Sequence, residues 1–405
     1  MKNILWILCL LSIQNGLWAQ DLETLISLGL ENNPEIRKYN LQYEIATEKV
    51  NEVNTIPNTE FSYGYFVSEP ETRTGAQKMK FSLKQMIPWF GSITARENYV
   101  NSLSDAKFEE IAIAQRKLIV AISNAYYDMY SLRAKGLVLE ENIDLLKVYE
   151  TLALTSVETG KASAVSVLRL QMRTNDLKEL KEVLYQQYLS QQAALNSLLN
   201  RDLSVTIILV DDLPMPESDF DLIESNLQMH PELLKYDKLY ASVMQSELLN
   251  QKEKSPMIGF GLDYIPVEKR PGLDFSDNGK DIFMPMVSLS IPIFNKKYTS
   301  SSKQNELKQL EIDAQKQSQF NKLQQLMDEA INERTASRIS YHTQINNLEQ
   351  AKNAEGILIK TYETGTIDFN DVLDIQELQL KFQMGLINAV RNYYRQTTMI
   401  NYLSK

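Results

Sequence analysis

Residues 118–146 read LIVAISNAYYDMYSLRAKGLVLEENIDLL, and within them Leu118, Ile122, Ala125, Met129, Leu132, Gly136, Leu139, Ile143 and Leu146 are spaced 4, 3, 4, 3, 4, 3, 4 and 3 apart. A seven-residue repeat moves an apolar seam forward about every 3.5 residues, which calls for a supercoiled partner helix. Gly136 is the one seam position without apolar bulk. The helical pattern extends over 92–156. Roughly 65 residues at about 1.5 Å rise make a rod on the order of 100 Å long. A lone helix cannot bury such a stripe, so the rod requires others beside it.

Composition narrows what the rods belong to. The chain has 405 residues, 43% hydrophobic and 23% charged, enough for a core and unlike a disordered tail. Its net charge is −10 without a basic block, which argues against nucleic acid as the main partner. Residues 1–19 read as a signal peptide: Lys2, the apolar run Ile4–Ile13, then a cleavage site near Ala19–Gln20. That run is too short to span a bilayer as a helix. Cys9 is the only cysteine, so the expected mature chain has no disulfide or thiol chemistry, and Leu8 before Cys9 fits a lipidation site poorly.

The sequence repeats itself. Asn33-Pro34-Glu35-Ile36 recurs as His230-Pro231-Glu232-Leu233, Ile87-Pro88-Trp89-Phe90 as Ile291-Pro292-Ile293-Phe294, and Glu158-Thr159-Gly160 as Glu363-Thr364-Gly365. The offsets are 197, 204 and 205 residues in one order, which marks a tandem duplication. The expected layout is a first repeat over 20–200, a linker over 201–218 and a second repeat over 219–405.

Each half opens with a helix start, in which Asn33 or His230 caps and Pro sits at the first helical position. His230 is therefore read as structural. Strict alternation follows. Phe61, Tyr63, Tyr65 and then Phe81, Leu83 alternate with small or polar residues, as do Ile258, Phe260, Leu262, Tyr264 and Val287, Leu289. Period two predicts strands over about 57–68 and 77–87, then about 256–268 and 282–291. Strands of about ten residues cross a bilayer when tilted, but four cannot close a barrel, so copies must assemble. Trp89 follows a strand end, where an interfacial aromatic belt belongs. After each Pro-x-Phe corner come paired long helices, about 92–156 and 164–200, then about 296–362 and 367–403. They turn at Gly160 and Gly365, because glycine adopts left-handed backbone cheaply. The apolar run Val205–Val210 of the linker is expected to pack along the rods.

The duplicated order of Asn-Pro-Glu helix, strand pair, Pro-x-Phe corner and helix hairpin resembles the TolC family of outer-membrane efflux channels throughout. Its most specific local match is Tyr362-Glu363-Thr364-Gly365-Thr366 through Asp371-Val372-Leu373-Asp374. The resemblance implies a mainly α fold with a membrane β-barrel: a homotrimer whose twelve strands sit in the outer-membrane lipid of a Gram-negative bacterium, above twelve helices crossing the periplasm. It implies docking to a periplasmic adaptor, at helix turns such as Gly160 and Gly365, and to an inner-membrane pump, most like the resistance-nodulation-division branch. It also implies that Asp371, Asp374 and Tyr362 form the periplasmic mouth. Three copies of each aspartate would make two acidic rings, which attract cations. Two departures follow. Ile367 stands where the family's closing network has a basic residue, and Ser166 and Arg169 are the first-half counterparts of Asp371 and Asp374.

Catalysis finds no support in the sequence. His230 and His342 without cysteines make no metal cluster, no phosphate-binding glycine loop occurs, and no cofactor is implied. Two alternatives to an efflux duct remain: an exit duct for secreted proteins, and a non-transporting periplasmic coiled-coil scaffold.

Overall fold

A computed structural model describes residues 21–160, 163–219, 227–364 and 366–404, so the expected leader and Gly365 lie outside the described residues. The elements in chain order are α1 (Leu22–Asn32), α2 (Pro34–Val53), β1 (Glu60–Tyr65), β2 (Glu71–Thr72), β3 (Gly75–Gln77), β4 (Met79–Ile87), α3 (Ser92–Glu158) and α4 (Ala164–Leu198). They continue with α5 (Pro231–Glu253), β5 (Met257–Ile265), β6 (Val267–Glu268), β7 (Ile282–Ser290), α6 (Lys297–Glu363) and α7 (Phe369–Ser404). The fold is thus mainly helical with a few strands. These elements make two compact units, and each unit draws segments from both sequence halves.

One unit comprises Lys38–Ile113 and Pro231–Asn321. Its four long strands form an antiparallel sheet in the order β1-β4-β5-β7, so the central pair joins a first-half strand to a second-half strand. The register puts Tyr63, Phe81, Tyr264 and Phe283 in one row across all four strands. Their rings follow one another at 5.3, 6.2 and 4.8 Å. Phe61, Leu83 and Leu262 form a parallel row on the same face, and all three are exposed. The opposite face mixes small and polar residues with Met86, Met284 and Met286. There Lys80 pairs with the buried Asp263, and Gly259 lies under Met86. A Cβ on Gly259 would stand 2.3 Å from Ser288 Oγ and 2.5 Å from the Met86 sulfur, so any larger residue there forces both side chains to move.

A second sheet, β2-β3-β6, knits the loops of the two halves together. Arg270 reaches Glu71 at 2.7 Å across it, and the Gly279 amide donates to the Thr74 carbonyl at 2.7 Å. The helical part of this unit is cross-braced by Glu110 of α3, which accepts from Lys107 and from Lys235 of α5, both at 2.8 Å. Burial alone would raise the Glu110 pKa. The two ammonium groups outweigh burial and hold it below the usual carboxylate value.

The other unit comprises Met1–Arg37, Ala114–His230 and Lys322–Lys405. The heptad seam of α3 is buried here and divides into two cores. Ile122, Ala125 and Met129 pack with Leu195 of α4, with Leu199 just past its end and with Leu25 of α1. Leu139, Ile143 and Leu146 pack with Leu170 and Leu177 of α4 and with Phe369 and Val372 of α7. Each fully buried aliphatic side chain contributes about 1.5–3 kcal/mol relative to exposure. Leu132 and Gly136, between the two cores, are only half-buried.

The linker lies against the first core through buried Ile207 and Leu209. Tyrosines fix its backbone: Val210 N donates to Tyr126 Oη at 3.2 Å, Leu213 N donates to Tyr130 Oη at 3.0 Å, and Tyr394 Oη donates to Pro214 O at 2.7 Å. Arg338 of α6 donates to the Pro216 carbonyl and to Asp219. Asn33 caps α2, accepting from Glu35 N at 2.8 Å, while its amide donates to Leu198 O at 2.8 Å. His230 is buried with its ring 5.1 Å from that of Tyr402, a structural placement.

Candidate functional site: the ends of the helical hairpins

The site lies where α3 turns into α4 and α6 into α7. Gly160 closes the first hairpin with a left-handed backbone, φ +72°, and nothing within 4 Å of a built Cβ. Ser163 then caps α4, its hydroxyl accepting from Val165 N at 3.2 Å. In the second hairpin Asp368 accepts from Asn370 N at 2.9 Å. That start sets the faces of α7: Phe369 and Val372 point into the core, while Asp371 and Asp374 are exposed. Three residues apart, the two aspartates share one face.

The counterparts on α4 behave differently. Ser166 is buried, and Arg169 donates to Asn370 on α7. One turn on, Arg173 lies 3.8 Å from Glu377. The first hairpin therefore brings arginines towards α7 where the second carries acids.

Tyr362 is buried near the end of α6 with its ring 4.9 Å from Phe369, and Tyr149 of α3 meets the same phenyl at 5.6 Å. The Tyr362 hydroxyl has no hydrogen-bond partner among the described residues. Ile367 packs against this apolar cluster.

Behind the aromatic cluster lies a polar layer that the apolar periodicity does not announce. Tyr149 Oη donates to Glu355 of α6, and Gln379 of α7 donates to the other Glu355 oxygen at 2.8 Å. Burial first, and then the Glu355 carboxylate, raise the Tyr149 pKa. Further along, Gln376 donates to Asn142 Oδ1 at 2.6 Å, and the Asn142 amide donates to Val138 O and to Gln383 Oε1. Tyr149 lies three residues past Leu146 and one short of the next seam position, Glu150, so the apolar spacing of α3 gives no sign of this layer.

Trp89, after β4, is 39% exposed and meets Phe90 edge to face at 5.9 Å. Phe90 and its second-half counterpart Phe294 are more exposed still. Among the described residues no His, Cys, Asp or Glu cluster is placed to hold a metal ion, and no helix is long and apolar enough to cross a membrane.

No family model matches the chain, and no curated protein matches it in sequence. In structure it is similar to the outer-membrane channel OprN, with a TM-score of 0.75 at 15% identity over 94% of this chain and 89% of that one. It is similar to the outer membrane protein VceC of Vibrio cholerae, with a TM-score of 0.74 at 16% identity over 95% and 96% of the two chains. The CmeC outer membrane channel of Campylobacter jejuni gives 0.75 at 14% identity over 94% and 85%. A likeness at this identity is one of architecture, and the chain has the fold of these outer-membrane channels.

Proposed function

We propose that the chain is the outer-membrane exit duct of a tripartite efflux system. It assembles as a homotrimer, sits in the outer membrane and extends into the periplasm. It passively conducts what an inner-membrane pump of the resistance-nodulation-division type delivers through a periplasmic adaptor. The observation that carries this reading is the β1-β4-β5-β7 sheet, whose two outer strands lack a second neighbour among the described residues and whose exposed face is apolar and aromatic. Such a face suits lipid, and such edges in lipid require closure by further copies.

In this reading Asp371 and Asp374 line the periplasmic mouth as acidic rings, Tyr362 braces the helices behind them, and Gly160 and Gly365 mark the adaptor-facing turns. Trp89 anchors at the membrane interface. Exposed carboxylates on one face of α7 support the rings. The test is reconstitution: the purified chain should fractionate with outer membranes and conduct in planar bilayers. A detergent-free soluble monomer without conductance overturns the proposal.

A further inference from the structure

Glu355 lies eight residues before Glu363, where α6 ends; Tyr149 lies nine before Glu158, where α3 ends; Gln379 lies ten after Phe369, where α7 begins. At about 1.5 Å per residue these offsets put the three side chains at one level, about 12–15 Å from the hairpin turns. The half-buried carboxylate there divides its oxygens between two other helices, Tyr149 Oη on one and Gln379 Nε2 at 2.8 Å on the other. Gln379 also donates to Ala351 O at 3.3 Å, which fixes its amide against α6. Hydrogen bonds to an ionised acceptor are roughly twice as strong as neutral ones.

The other ties near the ends are weaker or narrower. Arg173 and Glu377 stand 3.8 Å apart with Glu377 exposed, and exposed pairs contribute little. The Asn142–Gln376 contact joins only α3 to α7. The Tyr362 hydroxyl ties nothing within the described residues, and Ile367 carries no charge. Among the described residues Glu355 bonds two neighbouring helices at once.

We propose that Glu355 is the positioning residue that holds α3, α6 and α7 together at the hairpin ends and so keeps the mouth closed. This rests on reading the hairpin ends as the mouth of a duct. Losing the carboxylate frees the Tyr149 hydroxyl and leaves the Gln379 amide only its longer bond to Ala351 O, so the three helices lose their shared tie.

The test compares single-channel gating of the full chain as wild type, Glu355→Ala, Tyr149→Phe, the double variant, and Lys352→Ala at an exposed position of the same helix. Tyr149→Phe should raise the open-to-closed ratio about tenfold, the scale of one hydrogen bond to a charged group, and Glu355→Ala, which removes both bonds, at least as much. The double variant should rise no further than Glu355→Ala, and Lys352→Ala should gate as wild type. A merely structural role would lower thermal stability without moving the ratio. Wild-type gating in Glu355→Ala and Tyr149→Phe overturns the proposal and leaves the duct standing, whereas a wild-type chain that never conducts overturns the duct and the tie with it. Where Glu355→Ala fails to assemble, Tyr149→Phe decides the matter alone, because it removes one hydroxyl and keeps the ring on Phe369.

Discussion

Gln376 of α7 and Asn142 of α3 are both buried, and the glutamine amide donates to the asparagine Oδ1 at 2.6 Å. A buried polar pair stabilises only while complete, because a stranded donor keeps its full desolvation cost. Asn142→Ala should therefore lose about 1–3 kcal/mol. Replacing both residues with leucine should recover most of that loss. Denaturation of the detergent-solubilised protein measures it, and strictly additive losses in the double variant would contradict this account.

Two glycines should respond in opposite directions to alanine. Gly136 has nothing within 4 Å of a built Cβ, so Gly136→Ala should stabilise α3 by about 0.5–1 kcal/mol. A Cβ on Gly29 would meet Ile122 Cδ1 at 2.4 Å inside the first core. Gly29→Ala should cost about 1–3 kcal/mol as the core overpacks. Melting temperatures of the two variants should move apart; a shared direction would refute the packing argument.

The two faces of the sheet make a second contrast. Leu83 lies on the apolar exposed face and Ser82 on the opposite one. Leu83→Lys should cost about 2–4 kcal/mol of insertion if that face meets the bilayer midplane. Ser82→Lys should insert nearly as wild type. Folding yield into lipid vesicles reads both, and equal tolerance would remove the sheet from the membrane.

Replacing Asp371 and Asp374 by alanine should raise conductance and weaken block by trivalent cations, since both acids are exposed on one face of α7. Unchanged block would take them out of the mouth.

At the alkaline end, burial pushes Tyr127 up to about 12. The same cause, with Glu355 second, raises Tyr149. A raised folded-state pKa gives stability that is fully present below the unfolded value near 10 and is lost as pH climbs through the folded value. Denaturation midpoints should hold up to pH 10 and then fall, more shallowly in Tyr127→Phe. A flat profile across that window would show that neither phenol is desolvated.

The parts of the fold that could be read from sequence are those in which side-chain chemistry repeats at a fixed period. Leu118 through Leu146 declared their partner helices because eight apolar residues out of register with solvent have no other use. Phe61, Tyr63, Phe81 and Leu83 declared a one-sided sheet in the same way. Leu132 and Gly136 are the instructive exceptions: they keep the period yet fall between two cores, and burial there depends on what α4 and α7 bring, which α3 does not encode. Glu355, Gln376 and Gln379 stayed hidden for the opposite reason, since a polar residue on a long helix looks solvated until its partners are placed. The short strands β2 and β3 hid among glycine, proline and charges, while β6 falls at the end of the strand expected over about 256–268. Asp371 and Asp374 came from a likeness of motif, and the exposed face they occupy is what free carboxylates would choose in any case.

The stitched loops of β2, β3 and β6 bear on how a ring of such chains could be put together. The first and second halves are fastened along β4 and β5 and again beyond their tips, so a subunit of the proposed ring would meet its neighbours as a finished tile. Only one kind of seam would then be left to make, β7 of one copy against β1 of the next, and a single head-to-tail joint repeated around an axis either meets itself or does not. Errors in pairing order are thereby confined to one joint instead of being spread over every strand.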